Sequence, residues 1–332
     1  MSMPLVSVII VNWNGRHLLA RCLESVFNQT FTDIEVILVD NGSTDDSAAY
    51  IDSEFPRVRL ISLSKNRGFT GGNNEGFRQS NGSFIVLLNN DAALKNDWLE
   101  YMLSVMESDA GMGSCASKIM IDGTDMLDSA GDIFTTAFTG TKLGELQKES
   151  NYTKSRAVSG PCAAAAIYRR TMLEQIGFFD EDFFLNHEDT DLNMRAWFAG
   201  WRCQFVPAAV AYHKVSSSIG ELSDTSVYYF SRNSLWVWAK NVPLPLMLRF
   251  LPQRILYELN SFVNFCLVHG KWLPYMRGKW DAVRGLPTMF RKRKELSKFL
   301  KLDNEHIVRE LIPITQYLFK RLRVVSSLRS ER

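Results

Sequence analysis

The stretch Phe84-Ile85-Val86-Leu87-Leu88-Asn89-Asn90-Asp91 constrains the fold of this chain more than any other. Five consecutive apolar residues describe a strand buried on both faces, which calls for a parallel sheet covered by helices. The run closes on two amides and a carboxylate. In open α/β sheets, ligands bind at the carboxyl ends of the strands. A carboxylate delivered there can hold a hard divalent cation, and the cation can hold a diphosphate.

The residues before this stretch repeat one unit. Val6–Val11 is β-branched and reads as a strand ending in the turn cluster Asn12-Trp13-Asn14-Gly15. From His17 to Phe27 the apolar positions Leu18, Leu19, Cys22, Leu23 and Val26 follow a helical period. A second strand over Ile34–Val39 ends at Asp40, and Asn41-Gly42-Ser43-Thr44-Asp45 supplies turn residues and helix caps. A helix over about 47–54 and a strand over 58–63 complete three β–α repeats, the signature of a parallel sheet with right-handed crossovers. Asn12, Asp40 and Asp91 are thereby expected on one rim. Between the third and fourth strands, Gly68, Gly71 and Gly72 read as a loop whose backbone can approach a ligand, followed by a helix from about Asn73.

Beyond Asp91 the pattern predicts a helix over Trp98–Met106 and a strand near Ser114–Ile121. A loop or hairpin is expected near Phe134–Lys142, within an otherwise unassigned 111–154. A strand is read at Ala163–Tyr168, then a short helix over Arg170–Ile176. Glu188, Asp189 and Asp191 open a further helix, where acids are favoured. Strand segments over Cys203–Pro207 and Val210–Tyr212 lead to His213.

The net charge of +2 conceals a division. Residues 1–227 carry 18 Lys+Arg against 29 Asp+Glu, a net of −11, whereas residues 228–332 carry 20 against 7, a net of +13. In the basic part aromatic and cationic residues interleave, and Pro243, Pro245, Pro252 and Pro274 cut it into short pieces. Amphipathic helices that lie in a membrane interface have this composition. Residues 1–227 are therefore read as one α/β domain and 228–332 as a helical, membrane-associating region. Five scattered cysteines with no CxxC pair fit reduced thiols in a cytosolic protein. No apolar run reaches the ~18 residues of a membrane span, and no signal peptide is read at the start.

Val8–Asn14, Val39–Asp45, Asn66–Asn74, Leu88–Asp91 and Phe184–Asp189, in this order, resemble the motifs of family 2 inverting glycosyltransferases of the GT-A fold, in particular the rhamnosyltransferase-like branch. The resemblance covers about residues 5–220. It implies an α/β catalytic domain that transfers a sugar, rhamnose being the one the branch favours, from a nucleoside diphosphate. The acceptor it implies is a glycan or lipid-linked precursor of cell-surface polysaccharide. It implies Mg2+ or Mn2+ held by Asp91 and His213, with Asn89 standing where relatives carry a first acid. Asp189 takes the place of the catalytic base. Asn12, Asp40, Arg67, Gly71, Asn73, Asn89 and Asn90 fall at nucleotide-sugar positions, with Glu188 and Gly160 toward the acceptor or behind the base. The place implied is the cytoplasmic face of a membrane.

Taken singly, each residue has a plainer reading. Asp40 and Asp91 serve as helix caps elsewhere, first-turn acids are commonly solvated, and a strand-end histidine can simply be hydrogen-bonded. Other functions also stay open. A dinucleotide-dependent oxidoreductase wants a glycine-rich turn after the first strand, where this chain has one glycine, and a P-loop is absent. A nucleotidyltransferase shares metal-bound carboxylates. A non-catalytic nucleotide-sugar-binding protein at the membrane would keep the donor site alone. Nothing accompanies the basic tail that marks a nucleic-acid binder, so none is expected as a partner.

Overall fold

The structure is a computed structural model, and it describes residues 4–214, 222–316 and 318. Residues 215–221 of the expected catalytic span, and 317 and 319–332 of the expected helical region, lie outside the described residues. Strands β1 (Val6–Asn12), β2 (Ile34–Asp40), β3 (Arg59–Ser62) and β4 (Phe84–Asn89) alternate with helices α1 (Arg16–Phe27), α2 (Ser47–Glu54) and α3 (Gly68–Gln79). The chain continues through β5 (Ala92–Leu94), α4 (Trp98–Ser108), β6 (Met112–Ile121) and β7 (Leu127–Ser129). A hairpin of β8 (Asp132–Phe134) and β9 (Gly140–Lys142) follows, then β10 (Arg156–Val158), β11 (Ala165–Arg169), α5 (Arg170–Ile176), α6 (Glu188–Phe198) and β12 (Arg202–His213).

The main sheet runs β10-β12-β6-β11-β4-β1-β2-β3, with β5 paired to β12 and β7 to β6. The α/β expectation holds. β1 lies parallel to both β2 and β4, β2 to β3, and β12 to β6, whereas β11 is antiparallel to its neighbours β4 and β6. Strand β4 is buried on both faces, as its composition requires. Phe84, Val86 and Leu88 point into one core, shared with Leu19 of α1 and Trp98 of α4. Ile85 and Leu87 point into a second, shared with Met172 of α5 and Leu192 of α6.

Two readings from the sequence need correction. Gly68, Gly71 and Gly72 are not a loop before a helix but the first turns of α3. A Cβ on Gly72 would sit 2.7 Å from Val11 Cγ1, so the missing side chain lets α3 settle onto β1. The segments read as two strands before His213 form one strand, β12, with an irregularity between Val206 and Val210.

The C-terminal part contains α7 (Asp224–Asn241), α8 (Leu244–Arg249), α9 (Leu251–Phe262), a π-helical turn at Val263–Val268, α10 (Trp272–Leu296) and α11 (Asn304–Glu310). The prolines start helices here instead of shortening them, since Pro245 and Pro252 occupy first turns, where the missing N–H has no intrahelical partner to lose. α10 runs 25 residues and contains Pro287. The boundary expected at 227/228 falls inside α7. That helix shares a core with the β8–β9 hairpin and α6, through Phe134, Phe138, Phe183, Trp197, Trp236 and Trp238. Among the described residues no helix is long and apolar enough to cross a membrane.

Candidate active site

Register explains how the rim is built. Asn12 pairs with Asp40, and Val11 with Asn89, so the ends of β1, β2 and β4 lie level. The polar groups there bond to one another. Asn90 Nδ2 donates to Asn12 Oδ1 at 2.8 Å, and Asn12 Nδ2 lies 3.3 Å from both Asp40 Oδ1 and Ser43 Oγ. Asp40 Oδ2 also accepts from the Ser43 N–H at 3.2 Å. Asn12, Asp40 and Asn90 are all buried, and Asn89 closes β4 with partial exposure.

Strand β5 turns antiparallel onto β12 and sets Ala92 opposite His213. That register brings Asp91 to the histidine although 121 sequence positions separate them. Asp91 Oδ1 lies 3.1 Å from His213 Nε2, yet no aligned hydrogen bond completes the shell of this buried oxygen. On its other side the imidazole Nδ1 is 2.9 Å from Asp128 Oδ2. Asp128 in turn accepts from Lys142 Nζ at 2.5 Å. Lys142 stands opposite Asp132 in the β8–β9 hairpin. Burial alone would lower the His213 pKa, but the carboxylates of Asp128 and Asp91 beside the ring override it and carry it up to about 9. Burial likewise works to raise Asp128, and its contacts with His213 and Lys142 bring it down to about 2.

Asp128, Asp132 and Lys142 were not among the residues the sequence singled out. They lie in the stretch left unassigned. No sequence signal set Asp128 apart, because Asp122, Asp125, Ser129 and Asp132 stand close beside it.

Asp189 sits in the first turn of α6, partly buried, with its Oδ1 accepting from the Thr190 N–H at 2.7 Å. Burial pushes its carboxyl above the ordinary aspartate value, while the Thr190 N–H and the charge of Lys142 pull the other way. Glu188 and Asp132 are raised as well, first by burial and then by the charge of Asp189. The loop before α6 is held in a conformation uncommon for these residues: Phe184, Asn186 and His187 have φ of 64°, 64° and 67°. Asn233 of α7 holds it there, its Nδ2 lying 2.7–2.9 Å from the carbonyls of Phe183, Leu185 and Asn186. Gly68 packs against the same loop. Its φ is +74°, and a Cβ there would meet Phe184 O at 2.4 Å.

The remaining predicted residues divide. Gly160 faces α6 so closely that a Cβ would fall 2.1 Å from Asn193 Cγ, and its carbonyl accepts from the Asp132 N–H at 2.7 Å. Gly160 thus belongs to the Asp132–Asp189 neighbourhood. Arg67 pairs with Glu181 at 2.8 Å, and Gly71 packs on the Arg67 side chain, 2.7 Å from ideal Cβ to Cβ. Asn73 is buried and spends its amide on Phe69 O at 2.9 Å within α3. Asp191 is structural: fully buried, it binds Arg195 Nε at 2.9 Å, Lys240 Nζ at 2.9 Å and Asn241 Nδ2 at 2.8 Å.

The site thus offers a carboxylate–imidazole pair whose Asp91 lines a recess with His17, Arg21, Asn90 and Lys214, and a separate, partly buried carboxylate at a helix start. Among the described residues no three His, Cys, Asp or Glu side chains gather as a metal cage. Asp91 Oδ1 and His213 Nε2 nonetheless fit two ligands of a divalent cation, because such cations commonly keep only one or two protein ligands beside phosphate oxygens. Asp128 fits the carboxylate that orients a metal-binding imidazole from behind.

Comparison with known proteins bears on the family and the fold. The chain is 31% identical over 175 residues to an uncharacterised glycosyltransferase of Nostoc sp., covering 52% of each chain. It is 38% identical to the chondroitin synthase of Escherichia coli over 112 residues, 33% of this chain and 16% of that one. It thus spans about half or less of these relatives. Among solved structures, the mannosyltransferase PcManGT from Pyrobaculum calidifontis, in complex with GDP-Man and Mn2+, superposes with a TM-score of 0.54 at 18% identity, covering 90% of this chain and 86% of that one. GalNAc-T7 with UDP, GalNAc and Mn2+ superposes with a TM-score of 0.57 at 15% identity, over 78% and 58%. These likenesses establish the GT-A architecture. The family model described as glycosyl transferase family 2 matches residues 7–177, just over half the sequence, and the chain belongs to that family.

Proposed function

We infer that this protein is a metal-dependent inverting glycosyltransferase that moves a sugar from a nucleoside diphosphate to a glycan or lipid-linked acceptor, with rhamnose the sugar to test first. The observation that carries the reading is the meeting of Asp91 and His213 at 3.1 Å, next to a rim of buried amides and Asp40. In this reading Asn12, Asp40, Asn90 and Asn89 border the nucleotide, with Arg67, Gly71 and Asn73 on the α3 side. Asp91 and His213 hold Mg2+ or Mn2+, which supplies neutralisation of the charge gathering on the departing diphosphate. His213 keeps its proton up to about pH 9, so holding a cation at Nε2 would require that proton to leave to solvent.

Asp189 accepts the proton of the acceptor hydroxyl as that oxygen attacks the anomeric carbon from the side opposite the diphosphate. Its raised pKa makes it a stronger base than a solvated aspartate. Glu188 and Asp132, kept toward their neutral forms by burial, limit the negative charge around it. Gly160 keeps the backbone beside Asn193 close.

The test is a panel of nucleotide sugars incubated with the full chain and Mn2+ or Mg2+, with and without chelator. Release of nucleoside diphosphate that stops on chelation is expected. Release of pyrophosphate would assign nucleotidyl transfer, and binding without turnover across the panel and a range of glycan acceptors would leave a binding protein.

A further inference from the structure

Helices α9 and α10 are amphipathic in the wrong sense for a protein surrounded only by water. α9 turns Arg254, Tyr257 and Ser261 inward, and its outward face is Leu251, Ile255 and Leu259, continued by Val263 of the π-helical turn, all 45–58% exposed. On α10 the buried positions Tyr275, Gly278 and Ala282 define one side. At 100° per residue, the opposite side of the first turns is Leu273, Met276, Trp280 and Val283, exposed by 80%, 51%, 64% and 55%. The two helices face together, because Phe262 stacks edge-on to Trp272 at 5.2 Å and Lys279 reaches Glu258 at 2.5 Å. The turn between them adds Leu267 and Val268, both more than half exposed. An apolar surface this continuous marks an interaction site.

We propose that this surface docks the protein on an anionic lipid bilayer, with the α9–α10 hairpin lying in the interface. Charge selects the occupant. α10 carries seven Lys and Arg against two acids. Arg277, Arg284 and Arg291 lie on or beside the apolar side by the same spacing, and all three are exposed. The acid of α9, Glu258, is taken up by Arg254 and Lys279. A border of like cations repels a second copy and attracts anionic headgroups, while the aliphatic and indole side chains enter the acyl boundary. Within the run Arg291–Lys294, two residues serve the fold: Lys292 pairs with Asp180 and Asp182, and Arg293 donates to Ala239 O.

The surface lies one helix away from the candidate base. The first half of α7 contacts α10, where a Cβ on Gly278 would meet Tyr228 O at 2.5 Å, and the same helix clamps the loop before Asp189 through Asn233. A lipid-borne acceptor would arrive on this side; that clause alone rests on the transfer reaction proposed above.

The experiment is flotation of the full chain with phosphatidylcholine vesicles containing or lacking about one-third phosphatidylglycerol, beside the variant Leu259→Glu/Trp280→Glu. Both side chains are more than half exposed, so the variant is expected to fold, and an unchanged melting curve checks this. Wild type is expected to float with anionic vesicles and at least tenfold less with neutral ones. The variant is expected to lose at least tenfold of that binding with nucleotide-sugar hydrolysis unchanged. Flotation equal in wild type and variant, or none with anionic vesicles, overturns the proposal. So does a dimer in light scattering that the variant dissolves, which would assign the face to a second copy. Flotation is independent of turnover, so an inactive protein that floats counts against the transfer reaction and not against the docking surface.

Discussion

Replacing Asp128 by Asn asks whether the site is organised behind its ligands as the geometry states. Asp128 lies 2.9 Å from His213 Nδ1 and 2.5 Å from Lys142 Nζ, and the substitution removes its charge while keeping its size. In the metal-free protein His213 stands at about 9 against an ordinary 6.5. At ~1.4 kcal/mol per pKa unit, that rise corresponds to about 3 kcal/mol, divided between Asp128 and Asp91 after burial has been offset. Removing one carboxylate is therefore expected to lower the His213 pKa and to cost on the order of 1–2 kcal/mol. The sign follows from the direction of the shift. A histidine raised on folding stabilises fully below about pH 6.5 and loses that contribution as pH climbs toward 9, so Asp128→Asn narrows this window from above. With metal present, loss of the orienting carboxylate is expected to weaken Mn2+ binding by roughly 10–100-fold. Histidine ring NMR across a pH titration, assigned by His213→Gln, reads the first effect, and calorimetric Mn2+ titration with a nucleoside diphosphate reads the second. A His213 pKa that does not move, with unchanged Mn2+ affinity, would refute the account of Asp128.

Two further outcomes follow from the same contacts. Asp191→Asn leaves Lys240 and Arg195 buried without their shared carboxylate and is expected to destabilise the fold by ~3–5 kcal/mol in chemical denaturation; a loss below about 1 kcal/mol would contradict the structural role given to it. Because burial raises the Asp189 carboxyl, the acid limb of kcat/KM at saturating metal is expected above the ordinary aspartate pKa of about 3.9, with activity falling as pH drops through it; a limb at or below that value would remove Asp189 from the base role.

Much of the sheet was legible because its signal is local. An apolar run such as Phe84–Leu88 can be satisfied only in a strand covered on both sides, and the strand ends carrying Asn12, Asp40 and Asn89 then share a rim. The register that sets β5 against β12 is not local. His213 could be matched to Asp91 only through family likeness, and the β12–β5 ladder is what brings them together. Asp128 and Lys142 were invisible for the same reason. Each is a single charge in a three-residue strand, and their meaning arises when β7 pairs with β6 and Asp128 meets both Lys142 of the β8–β9 hairpin and His213 at the end of β12. The glycines of α3 misled because a glycine needed for close packing on Val11 looks, in sequence, like one needed for a flexible loop. The tail was legible in composition but not in orientation. Which side of α9 and α10 faces outward depends on their contacts with α7 and each other.

The central claim is that one bound donor sits between a cation held by Asp91 and His213 and a base at Asp189. It is tested most directly by measuring donor binding and sugar transfer side by side in Asp189→Asn. The account predicts donor affinity within about twofold of wild type, and a kcat lower by at least ~10²-fold, the scale of a lost general base. Transfer at the wild-type rate with donor affinity intact would contradict it.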